Sequence, residues 1–417
     1  MRLTLAVALV CLTLVPGIAR LQAQDRSSVS DIRFKVGDHP SLTLGALKLD
    51  ATARIESNVR MPTRDVGLDE THVAWGSRRA GVEGKLWKRV SFELERDFGR
   101  RTTPWRDAFV NVRIAKAFEV ETGRFKIPFG RDALTGSANR DFVYRSLAAS
   151  QLSPSRDTGV MIHGRPFGRV LEYQTGYFVR DGDHSRTGYT DGGRDAIAVR
   201  LVAAPLAWMG VGLLAPLQVG LAVARSRLDG RLGLRGRTVL GDGTFFDRLF
   251  VNGARRRTGL EAEWAAGPIS LSGEYIVVSD ERTGMGFDRG DLAAVRAQAW
   301  YVAGTWALTG ETKRGRLEPR RPVVTNGYGA LEVAARVERL RFDAATYPGA
   351  PFGFPSGSTL QSNSDRITTL GINWYLNHYL KVQTNVVMES IDDRQRSPAP
   401  AAEGRFTSVV ARFQFLL

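Results

Sequence analysis

Short stretches of alternating polarity recur along the whole chain, and few folds accommodate them. In Val90 to Glu95, Val90, Phe92 and Leu94 fall on one face and Ser91, Glu93 and Glu95 on the other. Leu331 to Glu338 sets Leu331, Val333, Ala335 and Val337 against Glu332, Arg336 and Glu338. Leu370 to Leu376, Leu380 to Val386 and Val409 to Phe415 repeat the pattern. A period of two is the period of a strand. Each unit runs for about ten residues before a turn.

The apolar side of such strands faces either a protein core or lipid. Two features favour lipid. The opposite faces are rich in charge, as a water-filled lumen requires, and aromatic residues gather at strand ends. Trp374, Tyr375 and Tyr379 flank the turn at Asn377-His378, Trp87 precedes Lys88-Arg89, and Trp264 precedes Gly267-Pro268. A large soluble sandwich with an aromatic core is the alternative. The connections come in two lengths: short near 87–89, 115–117, 166–169, 267–268 and 377–378, long at 60–70, 128–157, 180–194, 225–255, 343–365 and 392–403. The expectation is therefore an all-β, transmembrane antiparallel β-barrel of about 16 strands, with short periplasmic turns and long extracellular loops. Strands start near Leu42, Thr71, Val90 and so on to Phe406, with fourteen or eighteen left open. One connection, Glu311 to Asn326, is long where a short turn is expected.

The amino terminus reads as an export signal over residues 1–24. Arg2 precedes the apolar run Leu3 to Val15, and small residues offer cleavage between 19 and 24, leaving 25–417 as one barrel domain. The sole cysteine, Cys11, lies inside that run, so the exported chain has no disulfide framework. The formal charge of +15 falls by two when Arg2 and Arg20 leave, and most of it is arginine. Such a charge suits phosphate-rich nucleic acid, but export argues for small anions, anionic lipid or a polyanionic cell surface as partners. Leu201 to Ala224 carries no charge and is long enough for a membrane helix. Pro205, Pro216, Gly210, Gly212 and Gly220 interrupt it, so it reads as two strand ends joined by a turn.

No catalytic constellation stands out. The histidines at 39, 72, 163, 184 and 378 lack metal-ligand spacing, and no Gly-x-Ser-x-Gly is present. Asp181, Asp183, Asp191 and Asp195 could hold calcium through carboxylate oxygens, although a solvated loop is the plainer reading. No cofactor or metal is expected. Strand parity turns Lys48, Arg54, Arg113, Arg200, Arg336, Lys381 and Arg412 inward. Guanidinium groups stay ionised and grip oxyanions in bidentate fashion. The competing role is bracing the wall by pairing with Glu93, Glu95, Glu332 or Glu338.

The string Gly123-Arg-Phe-Lys-Ile-Pro-Phe-Gly130, followed by Asn139 to Ser146 and Asp157-Thr-Gly159, resembles the phosphate-selective porin O and P family. So do Leu86 to Phe98, Gly329 to Asp343 and Thr369 to Asn377. The resemblance implies a trimeric outer-membrane porin with a basic pore. It also implies that a loop here spanning 128–157, with Arg131, Arg140, Arg145 and Arg156, folds inward as a constriction. Arg124 and Lys126 join the candidate pore residues from the family motif, without support from parity. The chain departs from the pattern in having only eight Lys and in ending Phe413-Gln-Phe-Leu-Leu417. The expected function is passive diffusion of small anions, phosphate or polyphosphate among them. A surface adhesin or receptor, and more remotely a barrel enzyme, are the rival readings.

Overall fold

In the computed structural model the described residues are 32–35, 40–61, 71–100, 104–168, 170–182, 193–207, 212–240, 243–344, 362–393 and 404–417. The export signal, Asp183 and Asp191 lie outside them. Sixteen strands form the wall: β3 (Leu47–Arg60), β4 (His72–Leu86), β5 (Val90–Asp97), β6 (Trp105–Ala115), β7 (Phe118–Lys126), β8 (Arg156–Gly164), β9 (Leu171–Arg180), β10 (Arg194–Ala203), β11 (Gln218–Leu232), β14 (Phe250–Ala266), β15 (Ile269–Arg282), β16 (Leu292–Ala307), β17 (Ala330–Ala344), β18 (Asn363–Tyr375), β19 (Leu380–Ile391) and β20 (Arg405–Leu416). Each pairs antiparallel with the next. β20 returns to β3, from Val410 opposite Arg60 to Leu416 opposite Arg54. Closure satisfies every wall strand's backbone without an open edge, the condition for strands to span lipid.

The first expected strand, beginning near Leu42, is two elements. β1 (Ile32–Lys35) and β2 (Ser41–Leu44) pair, and β2 then turns at Gly45, whose φ of +56° permits the reversal into β3. β2 and β20 share one edge of β3, with Ala51 N–H donating to the Pro40 carbonyl and Ala53 exchanging bonds with Leu417. β14 likewise starts at Phe250, ahead of the expected Thr258, because its outer end runs beyond the lipid-facing alternation. Between β11 and β14, β12 (Gly236–Arg237) and β13 (Thr244–Phe246) form a small hairpin. The apolar stretch from Leu201 supplies the end of β10 and, from Gln218, the start of β11, with a 3-10 turn at Gly212–Leu214 before it, and no helix among the described residues is long and apolar enough to cross a membrane.

Along β16 the outward side chains Trp300, Val302 and Trp306 are exposed while Ala297, Ala299, Tyr301 and Ala303 are buried. Val73, Leu94, Ile114, Leu260, Leu271 and Ile372 continue the apolar exterior on other strands. Each such side chain left in water forgoes about 1.5–3 kcal/mol of burial, so lipid is the solvent this face requires. The turns at 87–89, 116–117, 267–268 and 376–379 share one end of the barrel. Trp87 and Lys88 turn with φ of +49° and +60°, the sense that matches strand twist. The link 308–329 lies at this same end, where a short turn was expected, and it is long because part of it enters the barrel.

Candidate functional site: the barrel lumen

A packed apolar cluster occupies part of the lumen, and the chain that supplies it is the link between β7 and β8. The family-like string begins on β7 and then leaves the wall. Phe125, Ile127 and Phe129 are 3%, 2% and 0% exposed. The Phe125 ring meets Phe178 edge-on at 5.4 Å. Gly259 on β14 leaves the room that Phe129 fills, since a Cβ there would lie 3.2 Å from the ring. At Gly130 the backbone turns with φ of +76°, and a Cβ would meet Ser153 Oγ at 2.9 Å. A short helix, Arg131–Leu134, and a π turn, Ala148–Leu152, follow, with Val143, Leu147 and Leu152 buried.

Polar bonds tie this segment to inward side chains on the opposite wall. Val143 N–H donates to Asn385 Oδ1 (2.8 Å) and Leu147 N–H to Glu338 Oε2 (2.6 Å). The Arg140 carbonyl accepts from Lys381 Nζ (2.6 Å) and Gln383 Nε2 (3.1 Å), and the Asp141 carbonyl from Asn373 Nδ2 (2.9 Å). Gln414 Nε2 reaches the Ser137 carbonyl at 3.2 Å. The segment therefore bridges the lumen from β7 and β8 to β17, β18, β19 and β20. Within it, burial would raise the Asp132 carboxyl, but Arg145, Arg336 and the Ser146 N–H and hydroxyl hold it below the usual carboxylate range.

The candidate cations of the wall and loop reach the lumen already engaged. Arg131 makes a bidentate pair with Glu263 (2.7 and 2.5 Å). Arg200 pairs with Glu261 in the same fashion and also meets Gln174. Arg336 contacts Glu338 (2.8 Å) and lies 4.6 Å above the Phe142 ring. Arg156 holds Asp107 through two bonds of 2.9 and 2.8 Å. Arg145 bonds the Thr135 carbonyl and stands 3.6 Å from Asp132. Lys126 Nζ donates to the Leu134 carbonyl at 2.5 Å. Arg140 and Arg412 share one carboxylate, Glu56, at 3.8 and 3.5 Å. Arg54 and Arg79 share Glu95 at 3.7 and 3.0 Å. Burial, then the neighbouring Arg412 and Arg145, depress the proton affinity of Arg140.

Arg124 is a correction. Its ladder neighbours Ala108 and Thr158 belong to the outward face, and its Nε donates to the Trp105 carbonyl at the outer rim (2.9 Å). Inward positions on β7 are Glu119, Glu121 and Phe125, so the alternation carries Arg124 to the other side. The calcium reading also fails for Asp181. Its carboxylate is gripped by Arg255 (2.8 Å) and Arg257, both 2% exposed. Asp195 accepts from the Tyr177 hydroxyl. No cluster of metal-ligating residues occurs among the described residues.

Two features escaped the sequence reading. Lys313, from the long link at the turn end, is buried between Asp141 of the inward segment and Glu332 of β17, 2.5 Å from each. Only the unexpected length of Glu311 to Asn326 hinted at it. The second is a recess of about 770 Å³ at the turn end, lined by Lys48, Lys85, Lys88, Arg89 and Arg113. Lys48 and Arg113 pair with Asp50 and Glu119 yet stay 50% and 54% exposed.

Comparison with known proteins agrees with this architecture. OmpT, an outer membrane protein of Vibrio cholerae, superposes with a TM-score of 0.58 at 12% identity, covering 90% of this chain and 99% of that one. An anion-selective porin from Comamonas acidovorans gives 0.52 at 14% identity, covering 89% and 100%. At these identities both speak for the fold. Porin O of Pseudomonas aeruginosa is 25% identical over 184 residues, 40% of this chain and 40% of that protein, so the matched part spans well under half of the relative. The family model for phosphate-selective porin O and P matches residues 51–417. With its closed sixteen-stranded wall and apolar exterior, the chain belongs to the phosphate-selective porin O and P family of the bacterial outer membrane.

Proposed function

We propose that this porin passes small anions, phosphate and polyphosphate among them, by passive diffusion past a constriction formed by residues 128–157. The observation that carries the reading is the sharing of Glu56 by Arg140 and Arg412. Two guanidinium groups on one carboxylate leave net positive charge where the inward segment meets β3 and β20. Glu56 and Arg412 are 2% and 3% exposed, so this surplus charge acts on a passing oxyanion through space, and an ion attracted without being bonded leaves again. Lys48, Arg113 and their basic neighbours at the turn end extend the positive path toward the periplasm. The same reading takes 25–417 as a single exported domain, the trimer as its assembly, and a channel rather than an enzyme as its role. A name for an anion-selective porin of the same fold supports the choice of sign.

Reversal potentials in planar bilayers under a salt gradient test this. The native channel is expected to favour chloride over potassium. Arg140→Gln with Arg145→Gln should lower that preference several-fold, since a charge at about 4 Å is worth roughly 1 kcal/mol even in water. A potassium preference in the native channel, or unaltered selectivity in the double variant, defeats the proposal.

A further inference from the structure

Two rows of arginine cross the outside of the barrel near its loop-bearing end. In the first, Arg225 of β11 stands opposite Arg256 of β14, Arg256 opposite Ser279 of β15, and Ser279 opposite Arg296 of β16. The second repeats the order. Arg339 of β17 faces Arg366 of β18, Arg366 faces Ser390 of β19, and Ser390 faces Arg405 of β20. Arg339 is half-buried and the other five guanidinium side chains are exposed, whereas the alternate residues Arg255, Arg257, Ala297, Leu340, Ile367 and Phe406 are buried. Both rows therefore point away from the lumen.

On the same outward faces the residues nearer the turn end are apolar, among them Leu221, Leu260, Val302, Val337 and Leu370. Tyr275 and Trp300 share the rung of Leu221 and Leu260 at the loop-side margin of this band, and on the outward face one rung, Val223, Thr258, Val277 and Gln298, separates it from the first row. The rows thus begin where hydrocarbon gives way to headgroups. Like charges directly opposite on a ladder destabilise it, and each row contains one such arginine pair. Carboxylates offset them only in part. Glu281 meets Arg256 at 2.6 Å, and Asp392 meets Arg339 and Arg366 at 2.9 and 3.3 Å. Arg225, Arg296 and Arg405 form no salt bridge among the described residues. A row across four strands spans about 14 Å, and strand tilt inclines it to the membrane plane, making a slanted line of oxyanion-binding forks on the loop side of the apolar band.

We propose that the two rows dock the phosphate groups of outer-leaflet lipid headgroups. Charge complementarity and the depth of the rows select this occupant, because guanidinium binds phosphate in bidentate fashion and these positions cannot reach the pore. The probe is diphosphorylated lipid A, compared with the same lipid after removal of its phosphates. Native mass spectrometry of the delipidated protein should show the phosphorylated form retained far more strongly. Arg225→Gln with Arg256→Gln and Arg296→Gln should weaken that retention by roughly 100-fold, while lysine at the same three positions, which keeps the charge but not the fork, should fall between the two. Conductance should not change in either variant. Equal retention of the two lipids by the native protein overturns the proposal, and this comparison needs no variant to fold. So does native-like retention by a folded glutamine variant. A glutamine variant that loses its oligomeric state while keeping the lipid would make the rows a contact between copies instead.

Discussion

Glu56 is the residue on which the electrostatics of the lumen turn. It accepts from Gln414 Nε2 at 2.8 Å while facing Arg140 and Arg412, and it is 2% exposed. Glu56→Gln keeps the shape and removes the charge. Two guanidinium groups then stand together without a counter-ion, which should cost about 3–5 kcal/mol, the usual penalty for breaking a buried pair. The same change should raise anion preference in reversal-potential measurements, opposite in sign to the loss expected from Arg140→Gln. If both substitutions move selectivity the same way, the charge account of this contact is wrong. Strand parity was enough to turn Arg54, Arg200 and Arg412 toward the lumen, because β3, β10 and β20 are regular there. It could not supply their partners. Arg200 and Glu261 are 61 residues apart and meet only through the register of three strands.

At the scale of elements, the wall and the segment within it were legible to different degrees. Strand positions followed from a local, period-two signal, and most observed starts lie within a few residues of those expected. The inward path of 127–155 follows from no local pattern, since its partners are scattered over β3 and β14 to β20. Only the string Phe125 to Gly130 announced it, through resemblance, and the structure supplies the physical reason: Phe125, Ile127 and Phe129 anchor the segment to the inner wall. Phe129→Ala empties a site that Gly259 is shaped to leave open. The expected cost is about 3–5 kcal/mol, read as a lower thermal midpoint of barrel unfolding. A loosened segment should also give a larger and noisier single-channel current. An unchanged current with a lowered midpoint would mean that the ring stabilises the barrel without setting the pore.

At the scale of the whole molecule, the formal charge of +15 is distributed unlike the simplest expectation from the sequence, which assigned the surplus to the lumen. Inside, most guanidinium groups meet carboxylates, while outward rows and the turn-end recess carry exposed cations. The lumen is also occupied from both ends. Residues 127–155 descend from the loop side, the 308–329 link rises from the turn side, and Lys313 joins them by holding Asp141 and Glu332 at once. Lys313→Met removes the cation from between two carboxylates, one of them fully buried. The expected destabilisation is about 3–5 kcal/mol, and the two segments should separate. Adding Glu332→Gln removes one of the stranded charges, so the double variant should recover part of the stability lost by the single one. Conductance separates the pinning role from mere stability. If Lys313 pins the two segments, the single variant conducts more and fluctuates more. The double variant regains stability without regaining the native current, because the link to Asp141 is still missing. Full recovery of both by the double variant would show that the lysine serves only to neutralise Glu332.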